Sequence, residues 1–201
     1  MIRWMQKEDV HEVVTLYKNY MCGSFFAKLE EDFLTIIFEG LIGSSYGISY
    51  VYKDGGKISG FIMATTDTKK LFNDILKKRW WVLLRAVLVT LTRKPRHISY
   101  VIESFFYSKK THLIDTRAEL LFITIELGYR ERNLSKELVK TVLAQFHERS
   151  IFKIKVTIQK GNYVVKKLLK SLEFNQVYSF SFYGKKSQIY EVDLADDYKY
   201  I

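Results

Sequence analysis

Residues 118–148 read AELLFITIELGYRERNLSKELVKTVLAQFHE, and the fold is decided there. Leu120 to Ile125 is a run whose only polar member is Thr124. It is too short for a typical helix and β-branched enough to predict a buried strand. From Leu134 onward the apolar residues fall at Leu134, Leu138, Val139, Val142, Leu143 and Phe146, which places one stripe on one face of a helix. The polar turn between them, Gly128 to Ser135, brings backbone N–H groups to a helix start, where the first donors lack an intrahelical partner. Such an end suits an anion.

This strand, turn and helix resemble motif A of the GNAT acyltransferase superfamily, written Arg/Gln-x-x-Gly-x-Gly/Ala, with Arg130, Asn133 and Ser135 at its first, fourth and sixth positions. About thirty residues on, Asn162-Tyr163-Val164-Val165, Leu168-Leu169 and Glu173-Phe174 follow the spacing of that family's Asn-x-x-Ala, Leu-Tyr and Gly-Phe signature. Four positions depart from the pattern: Asn133 and Ser135 stand for glycines, Leu169 for the usual Tyr and Glu173 for Gly. Asn is the non-glycine residue that best tolerates a left-handed backbone, so Asn133 is expected to keep the turn's shape. Leu169 has no proton to give, so the family's usual general acid is missing at that position.

The resemblance implies a fold and a site. The fold is α/β, a mixed, mostly antiparallel sheet of about seven strands flanked by helices, with a helical insertion between the third and fourth strands. The cosubstrate is acetyl-coenzyme A, and no metal is expected. Its pyrophosphate is assigned to the turn amides of Arg130, Glu131, Arg132, Asn133, Leu134 and Ser135, with Asn162 added from the second signature. Backbone N–H groups of Ile125 to Leu127 polarise the thioester carbonyl and pair with the pantetheine arm. Glu119 lies eleven residues before Arg130, the separation between the general-base Glu and motif A in the histone-acetyltransferase branch. A solvated residue at a strand edge is the other reading of Glu119, and Glu126 is the next candidate base. Tyr183, with Tyr163 and Tyr178 behind it, is the candidate acid, none at the family's position; packing, or release of thiolate without an enzymatic acid, are the alternatives. Lys166 and Lys167 either reach the ribose 3′-phosphate or form a solvated helix face.

Composition bounds the rest. At 201 residues and 48% hydrophobic content, without a Gly/Ser/Pro-rich linker, the chain reads as one domain over 1–201 with an insertion at 68–117. The lone Cys22 excludes an intrachain disulfide and a cysteine-based zinc site. The histidines His11, His97, His112 and His147 show no metal-ligand spacing. The N-terminus has early acidic residues and no apolar signal core, so the cytoplasm is the expected compartment. Net charge is +10, but between Lys69 and Lys110 eleven Lys/Arg face two acids, so nearly all of the excess sits in the insertion.

In chain order, Ile2 to Met5 predicts a strand, Val10 to Met21 a helix, and Ser24 to about Gly43 a second helix with Phe25, Phe26, Leu29, Phe33, Ile36, Ile37 and Leu41 inward. Ser49–Lys53 and Lys57–Thr65 flank Asp54-Gly55-Gly56, a hairpin signal. The insertion holds Leu71–Leu76, the basic Lys77-Lys78-Arg79, and an apolar stretch from Trp80 to Leu91 that is shorter than a membrane span. That stretch reads either as a buried helix or as an interfacial one with Trp at the boundary. Pro95 separates it from a further helix over Ile98–Tyr107. Lys153 to Ile158 alternates as a half-buried strand, Asn162 caps a helix, and Phe174–Phe182 and Gln188–Leu194 are the last strands, joined by a turn at Gly184-Lys185-Lys186.

The expected function is acetyl-coenzyme A-dependent N-acetyltransfer to a small amine, an amino sugar or sugar nucleotide, the basic insertion attracting an anionic acceptor or a membrane surface. Nucleic acid is not the expected partner, and the oligomeric state is left open. The competing expectation is a non-catalytic module that binds acyl-coenzyme A, or associates with membrane or nucleic acid, while keeping the fold.

Overall fold

The computed structural model describes residues 1–21, 27, 31–93, 114–182 and 185–195, and at 79, 82–93, 130–132 and 182 the backbone alone. A seven-stranded sheet runs in the order β1-β2-β3-β4-β5-β7-β6. Its strands are β1 (Ile2–Trp4), β2 (Gly47–Asp54), β3 (Lys57–Thr65), β4 (Ala118–Ile125), β5 (Lys153–Gln159), β6 (Asn175–Phe182) and β7 (Lys185–Asp193). Every neighbouring pair is antiparallel except β4 and β5. That pair is parallel because a helix, Leu134–Glu148, carries the chain from one strand back to the start of the next.

Strand alternation gives the sheet two apolar faces. Phe61 and Met63 point to one, Ile62 and Ala64 to the other. The first face is covered by α1 (Val10–Tyr20), α2 (Glu31–Ile42) and the start of α3 (Thr68–Arg93). Here the rings of Tyr17, Phe38 and Phe122 meet, with Tyr17 edge-on to Phe122 at 5.6 Å and Phe38 5.3 Å from Phe122. The second face is covered by α4 (Leu134–Glu148) and α5 (Tyr163–Lys170). All six residues of the predicted α4 stripe are buried. Burying one such side chain stabilises the fold by about 1.5–3 kcal/mol, so α4 owes its place to that stripe.

Several elements differ from the sequence expectation. β4 starts at Ala118, because Ala118 and Glu119 still find ladder partners on β5. β5 is not half-buried: Lys155 is 4% exposed, since the sheet is covered on both faces here. β7 begins at Lys185 rather than after it, pairing with Phe182. The turn after β4 is a 3-10 helix over Leu127–Arg132. The insertion's three sequence pieces merge into one helix, α3, because no Gly or Pro interrupts residues 68–93. Trp80 and Trp81 stack at 4.0 Å on its surface, 50% and 66% exposed. Pro95, the predicted helix over Ile98–Tyr107, Cys22, and Phe25, Phe26 and Leu29 of the predicted second helix lie outside the described residues. Among the described residues no helix is long and apolar enough to cross a membrane.

Candidate active site

The β4–β5 ladder consists of Ala118↔Ile154, Glu119↔Lys155 and Leu120↔Val156. Beyond it β4 continues along β3 and β5 continues along β7, so the two parallel strands part. The gap opens into a cavity of about 670 Å³, lined by residues of both sheet faces, among them Leu41 and Leu71 on one and Val139 and Leu169 on the other. Packed interiors leave few voids larger than a water molecule, so a space of this size is a candidate binding site.

Glu119 stands where the strands part and lines the cavity. It is 2% exposed, which removes the reading of a solvated strand-edge residue. Two hydroxyls hold its carboxylate. Thr68 Oγ1, at the start of α3, lies 2.9 Å from Oε2, and Thr157 Oγ1, on β5, lies 3.0 Å from Oε1. The Thr68 hydroxyl also lies 3.2 Å from the Arg117 carbonyl, and with one proton it donates to only one of the two at a time. The two hydroxyls thereby orient the carboxylate.

Glu126, at the far end of β4, is placed differently. Its Oε1 is 2.6 Å from Lys57 Nζ and 3.4 Å from the Tyr20 hydroxyl. The Lys57 hydrogen bond, more than any other influence, holds its carboxyl below the usual carboxylate range. It therefore makes a weaker base than an unpaired carboxylate. Its backbone N–H is also committed, donating to the Ser59 carbonyl at 2.9 Å, so of the amides from Ile125 to Leu127 this one is not available to polarise a carbonyl.

The turn after β4 passes through a left-handed residue before α4 begins. Asn133 adopts φ 54°, ψ 11°, the left-handed conformation expected from its place in the motif. An ordinary N-cap sits in the extended region and bonds the first turn through its side chain, and Asn133 does neither. The amides of Lys136 and Glu137 close onto the Asn133 carbonyl, and those of Leu134 and Ser135 are the first of α4, ahead of that closure. Leu134 itself is buried, and Ile125 packs beside it over Gly60. A Cβ on Gly60 would lie 3.3 Å from both Ile125 and Leu134, so that glycine lets α4 start close against the sheet. Leu127 is 63% exposed, and the side chains of Arg130, Glu131 and Arg132 are outside the described residues. Glu173, which also stands where the family has a glycine, has a positive φ too, 61°.

At the second signature, Asn162 Oδ1 accepts from the Val165 amide at 3.2 Å, capping α5, and Asn162 lines the cavity. Leu169, at the position of the missing acid, is 1% exposed and lines it too. Tyr163 is 76% exposed, and Tyr178 stacks on Phe180; neither reaches the cavity. Tyr183 lies outside the described residues. Among the described residues the tyrosines that do line the cavity are Tyr17 and Tyr20, on α1. None of the described residues from Ile125 to Ser135 lines it, so the turn lies apart from the cavity, at the far end of β4 from Glu119.

Sequence reading missed Thr68, Thr157 and Tyr20. Thr157 was legible in principle, as a polar residue two places from Lys155 on a strand pairing with β4. Thr68 was not, because its contact with Glu119 spans 51 residues. No group of three or more His, Cys, Asp or Glu among the described residues is placed to hold a metal ion.

In sequence, no family model and no curated protein matches the chain. In structure, it is similar to the ribosomal-protein-S18-alanine N-acetyltransferase of Escherichia coli, at 10% identity and TM-score 0.63, over 100% of this chain and 97% of that one. It is also similar to a GNAT-family acetyltransferase from Streptococcus pneumoniae, at 16% identity and TM-score 0.61, over 97% and 99% of the two chains. Arabidopsis thaliana NAA60, solved with a bisubstrate analogue, superimposes at 13% identity and TM-score 0.60, over 96% and 98%. The chain has the fold of the GNAT N-acetyltransferases, full length against full length.

Proposed function

We propose that the chain is an acetyl-coenzyme A-dependent N-acetyltransferase with Glu119 as general base. The observation that carries this is the buried Glu119 carboxylate at the parting of β4 and β5, aimed by Thr68 and Thr157 into a cavity large enough for reactants. The site suits the donor: α4 starts beside a left-handed Asn133, and the strands part where a pantetheine arm would lie. Leu134 and Ser135 supply the amides nearest the diphosphate, Arg130, Glu131, Arg132 and Asn133 the turn around it, and Ile125 and Leu127 the backbone along the arm. Asn162 flanks the arm from α5.

The bound donor supplies an activated acetyl group as a thioester. Glu119 takes a proton from the acceptor amine as its nitrogen bonds to the acetyl carbon; the carbon–sulfur bond breaks, and water returns a proton to the departing thiolate. A positioned base typically contributes 10²–10⁴-fold. With Leu169 in the place of an acid, no described side chain at the second signature donates to the thiolate.

The acceptor expected from net charge, an amino sugar or sugar nucleotide, rested on the basic insertion facing the site. Where α3 is described, Lys69, Lys70, Lys77 and Lys78 are exposed and lie on its solvent side, while Leu71 and Ile75 face inward. The described lysines of the insertion therefore lend that acceptor no support, and an amine is the class the site supports. Calorimetric titration with acetyl-coenzyme A tests the donor half: saturable one-site binding is expected, and no binding at millimolar donor would overturn the reading. Tight binding with no transfer to any amine would favour the non-catalytic module.

A further inference from the structure

We infer that the compartment between α1, α2 and α3 receives the body of the acceptor, and that the acceptor is an amine carried on an alkyl or aryl skeleton. This rests on the transferase reading of the same site and names its substrate class. On this side the cavity is walled by Met21, Ile37, Leu41, Leu71, Phe72 and Ile75. Leu41, Leu71 and Ile75 are 1%, 0% and 4% exposed, so they belong to the interior and still border open space. Apolar cavities stay dry and take apolar ligands. Among the described residues, the ionisable groups lining the cavity are Glu119, Lys185, Tyr17 and Tyr20. Lys185 is on β7 opposite Phe182, away from α3, so no lysine or arginine among them meets an anion on the α3 side.

The wall is preformed and half of it comes from the insertion. Asp67 Oδ1 accepts from the Lys70 amide at 2.9 Å, and the Thr68 amide donates to the Arg117 carbonyl at 3.0 Å, fixing the start of α3 at the base of β4. About two turns along, α3 presses on α2 where Gly40 has no side chain; a Cβ there would come within 2.9 Å of Ile75. Leu71 and Phe72 are thus held over the cavity by fixed contacts at both ends. An amine whose nitrogen reaches Glu119 from this side has its carbon skeleton in the compartment.

The test is an acceptor series with the full chain at saturating acetyl-coenzyme A, using n-propylamine, n-pentylamine, n-heptylamine, phenethylamine, glucosamine and a uridine-diphosphate amino sugar. Each buried methylene is expected to raise kcat/KM roughly fourfold until the compartment is full, with phenethylamine at least about a hundredfold above glucosamine. Phe72→Ser is expected to flatten the alkyl series while leaving the dissociation constant of acetyl-coenzyme A unchanged. Best turnover with either sugar, or a flat alkyl series in the unaltered chain, overturns the inference. So does a gain on passing from acetyl- to hexanoyl-coenzyme A at fixed acceptor, which would give the compartment to the acyl chain. Donor binding with no turnover of any alkyl or aryl amine overturns it as well, whereas absence of donor binding is failure of the transferase reading itself.

Discussion

Glu119 near the start of β4 and Asn133 beyond its end belong to one stretch of chain, yet they are held in place by different means. Glu119 is fixed by side chains brought from α3 and β5, through Thr68 and Thr157. Asn133 is fixed by backbone: a left-handed turn closed by the amides of Lys136 and Glu137. A backbone device tolerates a change of residue provided the conformation survives, which is how Asn stands where the motif has Gly. A side-chain device depends on partners far away in sequence, and it is also where this chain adds something of its own, the wall contributed by α3.

The largest effect expected from this contrast is at the side-chain end. Glu119→Gln keeps the shape and the two threonine contacts but cannot take a proton, so kcat/KM should fall by about 10²–10⁴-fold with acetyl-coenzyme A affinity unchanged. Steady-state rates and calorimetry on the variant check both halves. At the backbone end, Asn133→Val resists the left-handed conformation and should weaken acetyl-coenzyme A binding by about 1–3 kcal/mol, while Asn133→Gly should bind as well or better. Equal dissociation constants for the Val variant and the unaltered chain would break the comparison.

A site remote from both ends serves as control. Asp9 receives Arg3 through two bonds of 2.7 Å and the Gln6 amide at 2.8 Å, and the Arg3 hydrogen bond is the leading cause of its lowered pKa. A carboxylate whose pKa is lower folded than unfolded contributes stability above its unfolded value and loses it as pH falls through the folded one. Asp9→Ala should therefore cost about 1–3 kcal/mol near neutral pH and progressively less in acid, with donor affinity untouched. Denaturation curves at several pH values measure this. The smallest effect is at Glu173, whose φ of 61° is strained for a side chain. Glu173→Gly should relieve that strain, partly offset by the greater freedom of glycine in the unfolded chain, and raise stability by up to about 1 kcal/mol. A melting temperature that falls instead would show that the side chain's own interactions outweigh the strain.

The sheet, the hairpin at Asp54-Gly55-Gly56 and the inner faces of α1 and α4 were legible because each is written in local periodicity or turn chemistry. The left-handed Asn133 was legible because the motif spacing marks a position where few residues fit. Burial of Glu119 and Lys155 was not, since it depends on α1, α2 and α3 covering the sheet from elsewhere in the chain. The facing of the insertion's described lysines was not legible either. A count of lysines has no facing, whereas the helix puts Lys69, Lys70, Lys77 and Lys78 outward and Leu71 and Ile75 inward.

The central claim is transfer of an acetyl group to an amine, and coenzyme A release measured with and without an acceptor tests it most directly. With the full chain and saturating acetyl-coenzyme A, the account predicts thiol release that depends on added amine, matched one for one by N-acetylated product and lost in Glu119→Gln. Release that is absent, or equally fast without any amine, would contradict it.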